Sequence, residues 1–214
     1  YVDIIEANRT SQNYIYYNNS KGSFLDETPF GGDDEATISI AASDLNLDGY
    51  IDLILANRNK QPNRIYFGPD FLSSSVFGSG KDETRQVAIG DMDGDGYPDI
   101  VAVNIGEKNK IFYNNGTGQF KKSLSFGSSS DKTMSVTLGD LDSDGDLDIV
   151  TGNNRNKNHY YINNDLKFRL NHFSENDKIT YGITLVDLNN DGTLDIIESN
   201  SGDVNKIFFN KTQE

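Results

Sequence analysis

One acidic motif of nine residues occurs four times in this chain, and its even spacing constrains the fold more than any other feature. The motif reads D-x-[DN]-x-D-G-x-x-D and begins at Asp44, Asp91, Asp140 and Asp187. Successive copies start 47, 49 and 47 residues apart. A period of about 20–50 residues is typical of chains built from stacked copies of one supersecondary unit. The sequence therefore predicts a repeat protein in which every unit presents the same acidic loop.

The motif has the chemistry of a cation-binding loop. Oxygen-bearing side chains occupy positions 1, 3, 5 and 9, and the residue at position 7 offers its backbone carbonyl. Hard cations such as Ca²⁺ take about six to eight such ligands, and without a cation the clustered carboxylates would repel one another. We expect four Ca²⁺ sites, one for each loop. The expected metal ligands are Asp44, Asn46, Asp48, Tyr50, Asp52, Asp91, Asp93, Asp95, Tyr97, Asp99, Asp140, Asp142, Asp144, Asp146, Asp148, Asp187, Asn189, Asp191, Thr193 and Asp195.

The flanking sequence argues against the helix-flanked EF-hand form of calcium loop. That loop needs a bidentate Glu at position 12, whereas position 12 here is Leu55, Ala102, Thr151 or Glu198, so only the last copy complies. Each acidic loop runs instead into a short apolar segment rich in β-branched residues, such as residues 99–104. Such segments are typical of strands that are buried on both faces.

The repetition covers the whole unit of about 47 residues. A Phe lies 14 residues before each acidic loop and a Thr lies 7 residues before it, while an Asn follows each apolar segment. A polar loop, a further strand-like segment such as 109–113 and a more polar final segment complete the unit. Four strands in each unit predict an all-β fold, a β-propeller of four-stranded blades.

The chain begins partway through a unit, because residues 1–8 match the segment that follows an acidic loop. About five blades are therefore represented, and the first and last are incomplete. We expect a single propeller, or a portion of one, over residues 1–214. The expected repeats are approximately 1–29, 30–76, 77–125, 126–172 and 173–214.

The incomplete end blades leave three alternatives open. The chain is a piece of a larger propeller, its end blades are completed by another chain, or a five-bladed ring tolerates short end blades. Exposed strand edges pair readily with other strands, so we also expect a capacity for self-association through the end strands.

The acidic loops, the Phe-Gly pairs and the segment Asn63-Arg-Ile-Tyr make the chain similar to the FG-GAP/VCBS repeat family over essentially its whole length. That family includes the calcium-binding β-propeller heads of integrin α subunits, many bacterial surface proteins and some lectins. The resemblance implies calcium in the hairpin between the first and second strands of a blade, and it implies no single function. This chain departs from the family pattern at Asn46, Asn189 and Thr193, and we expect weaker calcium binding in the first and fourth loops.

The net charge of −14, from 33 acidic and 19 basic residues, argues against a nucleic-acid partner. Apolar residues make up 35% of the chain, and no apolar run approaches the roughly 20 residues of a membrane span. The chain has no cysteine, which excludes disulfides. Calcium loops favour a location outside the cell or at its surface, because extracellular calcium modules work at high calcium concentration.

Basic residues concentrate in the loops between the second and third strands, which a blade places opposite its acidic loop. Two interpretations stay open: these are solvated turns in which Asn is favoured, or they form a surface that binds a glycan or an extracellular protein. The candidate ligand residues are Arg58, Lys60, Arg155 and Lys157. The full group holds nine of the 19 basic residues, namely Arg9, Arg58, Lys60, Arg64, Lys108, Lys110, Arg155, Lys157 and Lys206.

We find no pattern of catalytic residues in the sequence. His159 and His172 occupy unrelated repeat positions, and no acid recurs outside the metal loops in a paired arrangement. The chain is therefore interpreted as a non-catalytic extracellular binding or adhesion module in which calcium is structural. Two alternatives are a structural subunit of an extracellular assembly, joined through incomplete end blades, and a propeller domain of a polysaccharide-active enzyme.

Overall fold

The computed structural model describes residues 1–174 and 178–211, which form 18 strands and no helix. The strands make five antiparallel sheets, of which three have four strands and two have three. Neighbouring strands in each sheet follow chain order. The predicted all-β architecture of four-stranded blades, with an incomplete first and an incomplete last blade, is confirmed. Among these residues there is no helix of the length and hydropathy that crossing a membrane requires.

The five sheets are numbered in chain order as blades 1 to 5. Blade 1 consists of β1 (Ile4–Glu6), β2 (Asn13–Tyr17) and β3 (Asp26–Phe30). Blade 2 consists of β4 (Thr37–Ser43), β5 (Asp52–Asn57), β6 (Asn63–Tyr66) and β7 (Ser74–Phe77). Blade 3 consists of β8 (Thr84–Gly90), β9 (Asp99–Asn104), β10 (Asn109–Tyr113) and β11 (Lys122–Phe126). Blade 4 consists of β12 (Thr133–Gly139), β13 (Asp148–Asn153), β14 (His159–Ile162) and β15 (Arg169–His172). Blade 5 consists of β16 (Ile179–Val186), β17 (Asp195–Ser201) and β18 (Lys206–Phe208).

The first strands of blades 2 to 5 are the innermost. Strand β8 contacts β4 on one side and β12 on the other, and β12 also contacts β16. The second strands lie one layer further out, and every residue of β5, β9 and β13 is buried. The predicted burial on both faces is therefore confirmed for β5, β9 and β13, whereas β17 of the end blade is partly exposed. The innermost strands line the axis of the propeller.

The hydrophobic core lies between blades, because each apolar cluster draws its side chains from two adjacent sheets. One cluster combines Ile54 and Ile65 of blade 2 with Ile100 and Phe112 of blade 3. Three similar clusters fill the other interfaces. A single blade therefore buries its faces only by stacking on its neighbours.

The recurring Phe anchors each interface with an aromatic pair. Phe77 at the end of β7 meets Phe112 of the next blade edge-to-face, with ring centroids 5.4 Å apart. Phe126 and Tyr161 repeat this contact at 5.1 Å. Edge-to-face pairs at such distances add to the stability that burial provides. The remaining two pairs are Phe30 with Tyr66 and Phe173 with Phe208.

The recurring Thr and Asn form a second, polar connection between blades. Nδ2 of Asn63 in blade 2 donates to Oγ1 of Thr84 in blade 3 at 2.8 Å, and Oγ1 of Thr84 donates to Oδ1 of Asn104 at 2.9 Å. All three side chains are buried. Asn-to-Thr bonds of this kind join the other blades as well, from Asn13 to Thr37, Asn109 to Thr133 and Asn158 to Thr180.

Candidate functional site

The four acidic loops occupy the predicted position, the hairpin between the first and second strands of blades 2 to 5. Successive hairpins of an antiparallel sheet alternate between its two ends, so all four acidic loops lie at one end of the propeller. The loops between the second and third strands lie at the opposite end. We call these the acidic end and the basic end.

Each acidic loop is held in shape by its first Asp. In the loop of blade 2, Asp44 accepts hydrogen bonds from the backbone N–H of Asp48 at 3.1 Å and of Gly49 at 2.9 Å. The other three loops repeat both bonds. The glycine has a φ of about 90° in every copy, which explains why position 6 requires glycine.

Two loops bring three carboxylates together. In blade 3, ligand oxygens of Asp91, Asp93 and Asp99 all lie within 4.8 Å of one another. In blade 4, positions 1, 3 and 9 of the loop make the equivalent group from Asp140, Asp142 and Asp148. Of the predicted metal ligands, the structure brings the carboxylates of these two acidic clusters close together.

The blade 3 cluster fits a hard cation. Oδ1 of Asp93 is buried and has no hydrogen-bond partner within residues 1–174 and 178–211. Burial and then the charge of Asp95 raise the pKa of Asp93. A buried carboxylate oxygen without a donor is costly, and an oxygen-seeking divalent cation would bind it together with Asp91 and Asp99.

The last Asp of each loop has a second, structural duty. Asp99 is fully buried, and its two oxygens accept the backbone N–H groups of Met92 at 2.9 Å and Asn114 at 2.7 Å. Burial raises the pKa of Asp99 to about 6. The same pair of bonds fixes the last Asp of the other loops, whose partners are Leu45 and Gly68, Leu141 and Asn163, and Leu188 and Asn210.

The loops of blades 2 and 5 differ at position 3, where asparagine replaces aspartate. Nδ2 of Asn46 donates to Oδ2 of Asp48 at 3.0 Å, and Asn189 makes the same bond to Asp191 at 2.8 Å. The hydroxyl of Thr193 also donates to Asp191 and lowers the pKa of that carboxyl. Part of the carboxylate charge in these loops is therefore met internally. Calcium ligation by these loops, and by the full set at positions 5 and 7, stays a prediction.

A buried Asn links acidic loops of neighbouring blades, and the sequence analysis missed it. Nδ2 of Asn114 in blade 3 donates to the carbonyl oxygen of Leu45 in the blade 2 loop at 2.7 Å. Asn163 and Asn210 make the equivalent bonds to Met92 and Leu141. The available signal was an Asn 15 residues after the last Asp of the motif, at 114, 163 and 210.

An acid–base pair recurs in blades 2 to 4 and accounts for one histidine. Glu35, in the segment that leads into blade 2, pairs with Arg64 of that blade at 3.0 Å, and Asp82 pairs with Lys110 of blade 3 at 3.3 Å. Asp131 and His159 occupy the same repeat positions and lie 3.9 Å apart. His159 is therefore the fourth-blade version of a structural pair. Arg64 and Lys110, two of the nine basic-end cations, are engaged by carboxylates.

The four candidate ligand residues lie in two basic-end loops. Lys60, Arg155 and Lys157 are exposed, whereas Arg58 is half-buried. No salt bridge to a carboxylate engages any of the four within the part of the chain that the structure describes. The recurrent Asn residues at this end, such as Asn57 and Asn104, are buried and hydrogen-bonded, so they do not belong to an accessible ligand surface.

Comparison with known proteins supports the repeat assignment. A family model described as an FG-GAP-like repeat matches four times, over residues 1–55, 44–102, 91–151 and 141–198. A search of curated proteins finds no match.

Among solved structures the chain resembles BBS1N in complex with ARL6DN, with a TM-score of 0.56, 12% identity and coverage of 83% of this chain and 58% of that one. The V. cholerae biofilm matrix protein Bap1 gives a TM-score of 0.49 and 18% identity over 91% of this chain and 32% of that one. An Agrocybe aegerita lectin with specific recognition of non-reducing terminal N-acetylglucosamine gives a TM-score of 0.47 and 17% identity, over 98% of this chain and 80% of the lectin. The likeness to BBS1N shows a common fold, and this chain spans 58% of its length.

Proposed function

This chain belongs to the FG-GAP-like repeat family, and we propose that it is a calcium-binding β-propeller that serves outside the cell as a non-catalytic binding or adhesion module. The observation that carries the calcium assignment is the blade 3 cluster, in which a buried oxygen of Asp93 lacks a donor beside Asp91 and Asp99. Oxygen-only ligands in a partly exposed loop suit Ca²⁺ better than Mg²⁺, which demands near-ideal octahedral geometry.

The cation would stabilise the fold and would take no part in catalysis. Its ligands sit in tight hairpins whose last Asp is bonded to the backbone of the third strand, as Asp99 is to Asn114. Binding would neutralise carboxylates that otherwise repel one another and would stabilise the folded chain by mass action. No step of catalysis is assigned to the metal, and the repeated pair geometry of Asp131 and His159 favours a structural role for that histidine.

Charge segregation supports a binding role for the basic end. Lys60, Arg155 and Lys157 are exposed there in a chain with a net charge of −14. Such a patch steers an acidic partner and makes association sensitive to salt. We propose an acidic glycan or an acidic extracellular protein as the partner. The structural-subunit alternative would use the three-stranded end blades.

Charge removal at the basic end tests this function. Replacing Lys60, Arg155 and Lys157 together with Ser should weaken partner binding at least about tenfold at low salt, since three steering charges are lost. The measurement is binding to a glycan array and to cell-surface extracts, at low and high salt. The matched control replaces Lys21, Lys121 and Lys167, which are exposed lysines of loops at the acidic end. Equal losses in both triple variants, or no partner at all, would contradict the proposal.

A further inference from the structure

We propose that the basic end of the propeller axis holds a pocket for a carboxylate-bearing sugar, with Arg85 and Arg58 as its anion-binding groups. The inference deepens the proposed binding function, on which it rests, by giving the basic end a defined ligand site. Arg85 was not among the residues that the sequence singled out, because it lies inside a strand and not in a loop.

The pocket is built where the innermost strands meet. It has a volume of about 430 Å³ and is lined by residues from all four of these strands, among them Ile38, Arg85, Met134 and Tyr181. Each of these residues directly follows the repeated Thr, at a shift in the pairing register of its strand. A bulge of this kind redirects a side chain, and the volume lies within the range of small-molecule sites.

Each of the two arginines of the pocket has a buried nitrogen that finds no acceptor in the described part of the chain. Nε of Arg58 and Nε of Arg85 are buried without a hydrogen-bond acceptor among residues 1–174 and 178–211. Neither side chain forms a salt bridge with any residue in those ranges. Burial and then the charge of Arg58 lower the pKa of Arg85. Half-buried guanidinium groups that line one pocket, with Nε atoms that find no acceptor among the described residues, are costly, and a bound anion would relieve both.

The surrounding charges leave the pocket positive. The charge of Arg9, like that of Arg58, lowers the pKa of Arg85, while the charge of Glu83 raises it. The carboxylate of Glu83 already accepts the backbone N–H groups of Lys60 at 3.1 Å and Asn59 at 3.4 Å. Three arginines therefore face one engaged carboxylate, and the local charge favours an anion.

The lining favours a carboxylate carried on a sugar ring. Guanidinium groups bind carboxylates through two parallel hydrogen bonds. Tyr181 is 57% exposed, and its ring offers a flat apolar surface for a sugar ring. Oε1 of Gln86 accepts the N–H of Val136 at 2.9 Å, which leaves the Gln86 amide nitrogen to donate to a hydroxyl. Ser39 adds a second hydroxyl-binding group.

Titration of the calcium-loaded full chain with glucuronate, followed by NMR and calorimetry, tests the pocket. We expect glucuronate to bind at least tenfold more tightly than glucose, which lacks the carboxylate, and than acetate, which lacks the ring. Arg85→Gln and Arg58→Gln should each weaken glucuronate binding at least tenfold. The matched control, Arg169→Gln, removes an exposed arginine at the start of β15, away from the basic end, and should leave the affinity unchanged.

Several results would overturn the proposal, and the wild-type titration keeps it testable if a variant fails to fold. These are no glucuronate binding to the wild type, equal affinity for glucose or acetate, or tighter binding of a glutamate-containing tripeptide. Binding that survives Arg85→Gln would show that glucuronate is held elsewhere than in this pocket. If the Lys60, Arg155 and Lys157 variant loses partner binding while glucuronate does not bind the wild type, the proposed function is supported and the proposed pocket is contradicted.

Discussion

At the scale of single residues, carboxylates that look equivalent in the motif have different duties. Asp148 is fully buried and accepts the backbone N–H groups of Leu141 and Asn163, and burial raises its pKa to about 6. Asp142 in the same loop is exposed as a residue. Partial desolvation of its carboxyl, and then the charge of Asp144, raise its pKa. The first of these carboxylates holds the loop whether or not a cation is bound, whereas the second would matter only to the cation.

Substituting these two residues separates the two duties. Asp148→Asn places an amide NH₂ against a backbone N–H, so the free energy of unfolding should fall by about 1–3 kcal/mol in chelator, and it should fall further in calcium because an expected metal ligand is lost as well. Asp142→Asn should lower it in calcium and leave it nearly unchanged in chelator. Urea unfolding in both conditions is the measurement. Loss in chelator from Asp142→Asn would show that Asp142 supports the fold directly.

At the scale of the element, the four hairpin loops differ in the side chain at position 3 and so in how their carboxylates are partnered. The loops of blades 3 and 4 gather three carboxylates at positions 1, 3 and 9. In the loops of blades 2 and 5 an Asn amide donates to the position 5 carboxylate, as Asn189 does to Asp191. Because ligand charge tunes calcium affinity, the position 3 side chain should decide how tightly a loop binds.

Restoring the carboxylate in the last loop tests that rule. Asn189→Asp should raise the calcium affinity of the blade 5 loop about tenfold, since one more unit charge faces the cation at close range. The matched control is Asn190→Asp, which adds the same charge at the neighbouring exposed position 4. Calorimetric titration with calcium distinguishes the two. Equal gains would mean that overall loop charge, and not the ligand position, sets the affinity.

At the scale of the whole molecule, the blades depend on one another. Every apolar cluster joins two sheets, and buried Asn-to-Thr bonds cross the same interfaces. At the acidic end, Nδ2 of Asn163 donates to the carbonyl oxygen of Met92 in the blade 3 loop and to that of Leu147 in its own blade. Calcium bound in one loop would therefore restrain the next blade as well.

Breaking one inter-blade hydroxyl contact should weaken the whole propeller. Thr84→Val keeps the shape of the side chain and leaves Nδ2 of Asn63 and Oδ1 of Asn104 without this partner, so stability should fall by about 1–3 kcal/mol. Thr137→Val makes the same change in another innermost strand, at a half-buried position. Thermal unfolding of both variants in calcium is the measurement. A loss from Thr137→Val as large as that from Thr84→Val would contradict a special role for the inter-blade bond.

The sequence by itself determined the period, the strands and the acidic hairpins. These features follow from local chemistry, because a glycine with positive φ and alternating oxygen side chains act within nine residues, and an apolar β-branched run such as β9 needs two covering faces. Only the tertiary structure decided what the recurring polar residues do. Asn63 and Thr84 meet across a blade interface, which turns a residue typical of turns into a buried connector. Arg58 and Arg85 converge at the axis although 27 residues separate them in the chain. Their Nε atoms find no acceptor within the described part of the chain, and this arises from packing between blades, which no local pattern encodes.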